Sequence, residues 1–268
     1  MLNTIGFLGC GNMGGAIARA VCKAADPQNV WLANRTAAKA EALAAELGCN
    51  TTINDKVAGR CDLIFLAVKP QMMEELLAPL RFTLAERPSR FVLCSMAAGL
   101  SIARIQEMAG SDCPVIRIMP NTPASVGAGM IQYCTSNVTA EEEAEFLKLM
   151  APAGRLDAVP EGLIDAASCV SGCGPAWVYQ FIEALADGGV ACGLPRAKAQ
   201  EYAAQMVLGS AKLVLESGQH PGALKDAVCS PGGSTIQGVR VLEEKGLRGA
   251  VMDAVIASYN KTKEMGKG

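Results

Sequence analysis

TIGFLGCGNMGGAIARAVCKAA, residues 4–25, decides the fold. Thr4 to Leu8 is a short apolar run. It ends in GCGNMG, and helical spacing of apolar residues follows through Ala25. The pattern predicts a strand, a tight turn and a helix, with GxGxxG at the junction. Gly9 permits the turn, Gly11 lets a pyrophosphate reach the backbone, and Gly14 lets helix and strand pack closely. The helix N-terminus then faces the anion. Gly9, Cys10, Gly11, Asn12, Met13 and Gly14 are therefore expected to contact a dinucleotide.

The pattern repeats outward from there. VWLA (Val30 to Ala33) is a second strand, and it ends in NRT. A site for NAD would place Asp or Glu here to accept from ribose hydroxyls. Asn34 and Arg35 stand there instead, and arginine pairs with a 2′-phosphate, so NADPH is the expected donor, with NADH as the second. TAAKAEALAAEL reads as a helix capped by Thr36. DLIFLAV, RFVLCSMAAG and PVIRIMPNTP are further buried strands. One strand per βα repeat predicts a doubly wound, Rossmann-like parallel sheet. Ligands bind at the carboxyl ends of such strands. The small-residue turns there extend the expected cofactor contacts to Asn34, Arg35, Asn54, Ala67, Val68, Lys69, Pro70, Met96, Ala97, Ala98 and Asn121. For Lys69 the competing reading is an ordinary loop lysine.

Composition excludes other classes. The chain has 268 residues, a net charge of −2 and no basic stripe, which argues against nucleic acid. No apolar run approaches the ~18 residues of a membrane helix. Eleven cysteines sit mostly in apolar runs, with no CxxC pair and a single histidine, His220. No metal site is expected, and the cysteines read as small hydrophobes of a reduced, cytoplasmic chain without a signal peptide. His220, beside Pro221, reads as a loop residue between helices.

From about Leu163 the spacing is helical and no strand stands out. Residues 1–160 are expected to form the NADP-binding domain, and residues 161–268 an all-helical domain for substrate binding and dimerisation. Helices are predicted near Pro175–Gly193, Pro195–Ser217, Pro221–Val228, Ser234–Glu244 and Leu247–Glu264, broken by Gly and Pro. The segment Trp177–Val190 is apolar nearly all round, which predicts burial against a partner subunit. Asp187–Gly189 lowers helix propensity and permits a close helix crossing. The closing KEMGKG reads as a frayed end. Two glycine-rich turns, SGCGP and SPGGST, open buried helices far from the N-terminal loop, and neither holds an obvious acid or base.

FLGCGNMGGAI, AVKPQ, AAGLS, RIMPNTP, SGCGPAW, ALADGGVACGLPR and LKDAVCSPGGSTIQGVRVLEEKGLRGAV occur in this order over nearly the whole chain. Together they resemble the pyrroline-5-carboxylate reductase family, and the last motif is the most specific. The resemblance implies reduction of Δ1-pyrroline-5-carboxylate to L-proline by NAD(P)H, the final step of proline synthesis. It also implies a homodimer of interleaved C-terminal helices, with rings of dimers common in the family. A protonated cyclic imine is already electrophilic, so no strong protein acid is required; the site has to hold the carboxylate and place the ring. The SPGGST turn offers N–H groups at Gly232, Gly233, Ser234 and Thr235 as an anion nest, and Ser230 adds a hydroxyl. By the resemblance, Thr235 bonds the ring nitrogen, and SGCGP supports this loop and the dimer contact. The competing reading makes Ser230 and Thr235 helix caps. The chain departs from the family pattern at Cys173, Trp177 and Ala227, where relatives more often carry Ser, Tyr and Asn.

Two rival readings remain at this stage. A β-hydroxyacid dehydrogenase needs a helix lysine near a glycine turn, but after Gly174 none occurs before Lys198. A non-catalytic NADP-binding scaffold would keep GCGNMG but has no need of SPGGST.

Overall fold

A computed structural model describes residues 2–265. These form two compact units. The first takes the chain up to Cys173 and again from Ser258; the second is Gly174–Ala257.

The first unit follows from the βα repeat. Strand β1 (Ile5–Leu8) leads to helix α1 (Asn12–Ala24), β2 (Val30–Ala33), α2 (Ala37–Leu47) and the short β3 (Asn50–Thr51). Then come α3 (Asn54–Arg60), β4 (Leu63–Leu66), α4 (Met73–Leu77), α5 (Arg81–Glu86), β5 (Val92–Ser95), α6 (Ile102–Ala109) and β6 (Val115–Met119). The sheet has eight strands in the order β3-β2-β1-β4-β5-β6-β7-β8. The first six are mutually parallel.

The last two strands depart from the all-parallel expectation. β7 (Gly129–Ser136) runs antiparallel to β6, and β8 (Gly154–Ala158) is parallel to β7. The reason is connection length. Only residues 120–128 separate β6 from β7, too few for the crossover of a dozen or more residues that a parallel return needs. Helix α7 (Ala140–Met150) supplies that crossover between β7 and β8.

Strand alternation divides the core between the two faces of the sheet. Ile5, Phe7, Leu63 and Phe65 face one apolar layer with Ile17 and Val21 of α1. Leu8, Ile64, Leu66 and Leu93 face the other, with Met73 and Ile105. Phe7 and Phe65 are paired in register and stack at 4.5 Å. Gly6 faces the second layer, where a Cβ would lie 2.3 Å from Val57 Cγ1, so this inner position of β1 tolerates no side chain.

Helix α8 (Glu161–Ser171) belongs to the same compact unit. Its acids are held by Arg117 of β6: Nη1 donates to Glu161 Oε1 at 3.2 Å and Nη2 to Asp165 Oδ1 at 2.8 Å. The end of the chain returns to α8 as well, with Lys263 Nζ donating to Asp165 Oδ2 at 3.4 Å.

The second unit is helical, as the spacing predicts: α9 (Gly174–Ala191), α10 (Arg196–Ser217), α11 (Pro221–Ala227), α12 (Ser234–Glu244) and most of α13 (Leu247–Met265). α9 and α10 pack where Gly189 would bring a Cβ 3.3 Å from the Ala199 Cβ, the close crossing expected at this glycine. His220 does more than link two helices. Its Nδ1 accepts from Gly222 N–H at 3.0 Å and caps α11. α13 stays helical through Met265, further than a frayed KEMGKG end implies; Gly266 to Gly268 lie outside the described residues.

The expected burial of Trp177–Val190 does not occur within one chain. Val178, Tyr179, Phe181 and Leu185 of α9 are exposed, as are Met206, Leu208 and Leu215 of α10 and Met252 and Ile256 of α13. Among the described residues of this unit, only Ala186, Ala199 and Ala203 are buried apolar side chains. Five helices, two of them short, cannot surround one another, so most apolar faces are left for something else to cover.

Candidate functional site

The glycine turn sits where β1 meets α1. Gly9 has φ +113°, and a Cβ there would lie 2.5 Å from the Ala67 carbonyl oxygen. At Gly14 a Cβ would lie 2.5 Å from the Gly9 oxygen. Both positions exclude side chains, for backbone conformation and for packing respectively. Gly11 differs: nothing lies within 4 Å of its Cβ position, so its openness serves an approaching ligand rather than the fold. Gly11 is also the N-cap of α1, and no side chain caps that helix. Its free N–H groups and positive dipole end therefore face outward.

A pocket of about 420 Å³ opens here. Of the expected cofactor contacts, the fold brings Gly9, Gly11, Asn34, Arg35, Asn54, Ala67, Val68 and Lys69 to its wall. Cys10 and Met13 instead pack on the core, and Gly14 is buried in the α1–β1 packing. Asn12 opens α1, exposed beside Gly11. Pro70 starts the turn after Lys69, and Met96, Ala97 and Ala98 follow β5; none of them lines this pocket. Asn121 is buried. Its Nδ2 donates to Ser171 O at 2.9 Å and its Oδ1 accepts from Met130 N–H at 3.0 Å, tying the start of β7 to the end of α8.

The pocket also holds residues that the sequence reading passed over: Thr36, Lys39, Met72, Glu75 and Leu76. Lys39, in the first turn of α2, lines the pocket together with Arg35, which precedes the helix. Thr36 is the N-cap of α2, but its hydroxyl makes no capping bond, contrary to expectation. The hydroxyl and the Ala37 and Ala38 N–H groups are left for a ligand, while Lys39 N–H donates to Thr36 O at 3.1 Å. Arg35, Lys39 and Lys69 line the same wall without a carboxylate partner among the described residues, and Glu75 is the one acid facing them. Two uncapped helix N-termini and three cations make a pocket for a ligand with phosphate at both ends. The donor set fits NADP.

Cys10 is no nucleophile. Burial, with Cys49 nearby, pushes its thiol up to about 11. Burial likewise raises Cys22 and Cys61 to about 12, and all eleven cysteines are free thiols. Cys10, Cys22 and Cys61 therefore stay protonated at neutral pH and serve as apolar filling. Among the described residues no cluster of His, Cys, Asp or Glu is placed to hold a metal ion. Among the described residues no helix is long and apolar enough to cross a membrane.

The second glycine turn lies in the helical unit. Gly232 has φ +70°, and Gly233 N–H donates to Ser230 O at 3.0 Å, closing the turn. Gly233 is the N-cap of α12, and no side chain caps it. The structure therefore does not use Ser230 or Thr235 as caps. Ser230, Ser234 and Thr235 are exposed, and their hydroxyls make no hydrogen bond among the described residues. Uncommitted hydroxyls and first-turn N–H groups on one turn are what a carboxylate requires.

Comparison with known proteins agrees with this architecture. Residues 161–265 match a family described as pyrroline-5-carboxylate reductase dimerisation, and residues 4–99 match one described as NADP oxidoreductase, coenzyme F420-dependent. A pyrroline-5-carboxylate reductase of Escherichia coli is 43% identical, with 100% of both chains covered. The NADP-bound pyrroline carboxylate reductase of Plasmodium falciparum superposes with a TM-score of 0.88 at 35% identity, covering 99% of each chain. The reductase of Coxiella burnetii gives 0.89 at 31% identity, covering 98% of each. Glycine turn, cation-lined pocket, helical unit and full-length likeness converge: the chain belongs to the pyrroline-5-carboxylate reductase family.

Proposed function

We propose that this chain reduces Δ1-pyrroline-5-carboxylate to L-proline with NADPH, the last step of proline synthesis. NADPH supplies a hydride to the imine carbon, and one proton ends on the ring nitrogen, so the C=N bond becomes an amine. The observation that supports the proposal is that two helix starts without a side-chain cap, α1 and α2 in one unit, occur in the same chain as a third, α12 in the other, whose Ser230 and Thr235 hydroxyls are uncommitted. In this reading residues 1–160 bind the cofactor, and residues 161–268, which take in α8 and the end of α13 from the first compact unit as well as the second unit, bind substrate and form the dimer.

The chain's own groups have stated tasks. The N–H groups of α1's first turn take the pyrophosphate. Arg35 and Lys39 take the 2′-phosphate and set the preference for NADPH over NADH. The N–H groups of Gly232, Ser234 and Thr235 hold the substrate carboxylate, with the Ser230 hydroxyl beside them; the Gly233 N–H, expected among them, already donates to Ser230 O and shapes the turn instead. Thr235 Oγ1 bonds the ring nitrogen. Orientation and anion binding do the work, because a protonated imine needs no further activation.

The helical unit pairs with that of a second copy, and dimers assemble further into a ring; the workplace is the cytoplasm. The apolar faces of α9, α10 and α13 support the pairing. The test is NADPH oxidation followed at 340 nm, a wavelength set by the reduced cofactor, with pyrroline-5-carboxylate as substrate. Turnover there and none with 3-hydroxyisobutyrate plus NADP is expected. Activity on the hydroxy acid alone would replace this reading with that of a β-hydroxyacid dehydrogenase.

A further inference from the structure

Asn34 follows β2 and is half-buried. Its Oδ1 accepts from Cys10 N–H at 2.9 Å, and its Nδ2 donates to Thr36 O at 2.9 Å. Immediately before it, Ala33 O accepts from Gly9 N–H at 2.8 Å. Two successive amides of the glycine turn are thus held by two successive residues at the end of β2. The first bond continues the strand ladder, and the second is made by a side chain where the ladder has ended. The same side chain reaches on to the residue that caps α2. One amide therefore spans the turn at the start of α1 and the turn at the start of α2.

We propose that Asn34 is a positioning residue for the cofactor, holding the pyrophosphate turn and the 2′-phosphate turn at a fixed separation. This rests on the NADP site argued above. Only an amide of this length can do both jobs, since it carries an acceptor for Cys10 and a donor for Thr36. Serine is too short to span the turns. Aspartate would keep the bond from Cys10 but set its second oxygen against the Thr36 carbonyl, and it would add a negative charge beside a 2′-phosphate. The residue type is thus suited to NADP by geometry as well as by charge, while the bond to Cys10, which orders the pyrophosphate turn, acts on any dinucleotide.

Two measurements on Asn34→Ala, with Asn34→Asp and Arg35→Ala alongside, separate this role from direct contact. The first is amide hydrogen exchange at Cys10 in the cofactor-free chain. Exchange there should quicken about tenfold or more in Asn34→Ala, and remain near the parent rate in Asn34→Asp and Arg35→Ala. The second is equilibrium binding of NADPH and NADH by calorimetry. Asn34→Ala should weaken both by the same factor, about 5- to 10-fold for one bracing hydrogen bond. Arg35→Ala should weaken NADPH alone. Asn34→Asp should restore part of the NADH affinity and leave NADPH weak. A loss confined to NADPH in Asn34→Ala would make Asn34 a phosphate ligand and overturn the proposal, as would unchanged Cys10 exchange. Failure of the parent chain to bind either dinucleotide would instead strike the cofactor site, and the exchange result would still decide the clamp.

Discussion

Gly9, Arg35 and Thr235 are the single residues on which the proposed function puts most weight. Gly9 is set by its φ of +113° and by the Ala67 oxygen, Arg35 by charge, and Thr235 by a hydroxyl that no cap consumes. Arg35→Asp should raise the KM for NADPH about tenfold or more, a loss of roughly 1.5–3 kcal/mol for a charged hydrogen bond. NADH should be spared, and Lys39→Ala should shift the preference in the same direction by less. Equal loss with both cofactors would show that neither side chain reads the phosphate. Thr235→Ala should lower kcat/KM for the imine about 10- to 150-fold, from roughly 1.5–3 kcal/mol at the reacting centre. Since Thr235 does not cap α12, its loss should leave the Tm within the narrow range of an ordinary surface substitution, about 0.5 kcal/mol or less. Wild-type efficiency in a folded, dimeric Thr235→Ala variant would remove it from the site, and a drop in NADPH affinity would move it to the cofactor.

Among the elements, α7 shows how a helix end is tied to the sheet. Thr139 Oγ1 accepts from Glu142 N–H at 3.2 Å, and Glu142 Oε2 accepts from Thr139 N–H at 2.9 Å, a reciprocal capping box. Arg90 adds a fork, with Nε to Glu142 Oε1 at 2.6 Å and Nη2 to Oε2 at 3.1 Å. Burial pushes the Glu142 carboxyl up, but the Arg90 and Thr139 donors outweigh it, so it sits below its ordinary value. A carboxyl depressed in the folded state adds stability above its unfolded value, and that contribution is lost as the pH falls through the folded value. Glu142→Gln should therefore lower stability at pH 7 and flatten the decline on acidification below about pH 4.3, the ordinary glutamate range. An equal loss at pH 7 and pH 3 would mean that the charge is not what stabilises α7. The capping box was legible as T-x-x-E, a local signal. Arg90 comes from 52 residues away, and no local pattern announces it.

For the whole molecule, the decisive feature is how little the helical unit buries by itself. Tyr179, Met206, Leu208, Leu215, Met252 and Ile256 are all exposed in one chain. At roughly 25 cal/mol per Å² of apolar surface removed from water, covering such faces is a strong drive to associate. Sedimentation at micromolar concentration should give a dimer or a larger assembly. Replacing Leu208 and Leu215 together by Glu should shift the species towards monomer and lower the Tm. A folded, active monomer of the unaltered chain would defeat this expectation.

The sequence by itself determined what short-range sterics and periodicity control. The strand–turn–helix at GCGNMG follows from where glycine alone fits, and the sheet class from one strand per repeat. The helices of the second half follow from apolar spacing cut by Gly and Pro, and they stand within a few residues of where that spacing places them. Tertiary structure alone decided what depends on contacts between distant segments. The reversal at β7 needed a count of connecting residues against the reach of a crossover. The Asn34 clamp on Cys10 spans 24 residues of sequence, and Lys39 joins the pocket only because α2 begins beside α1. Hydrogen bonds and pockets form between groups that folding brings together, so their partners are set by the packed chain and not by the residues on either side.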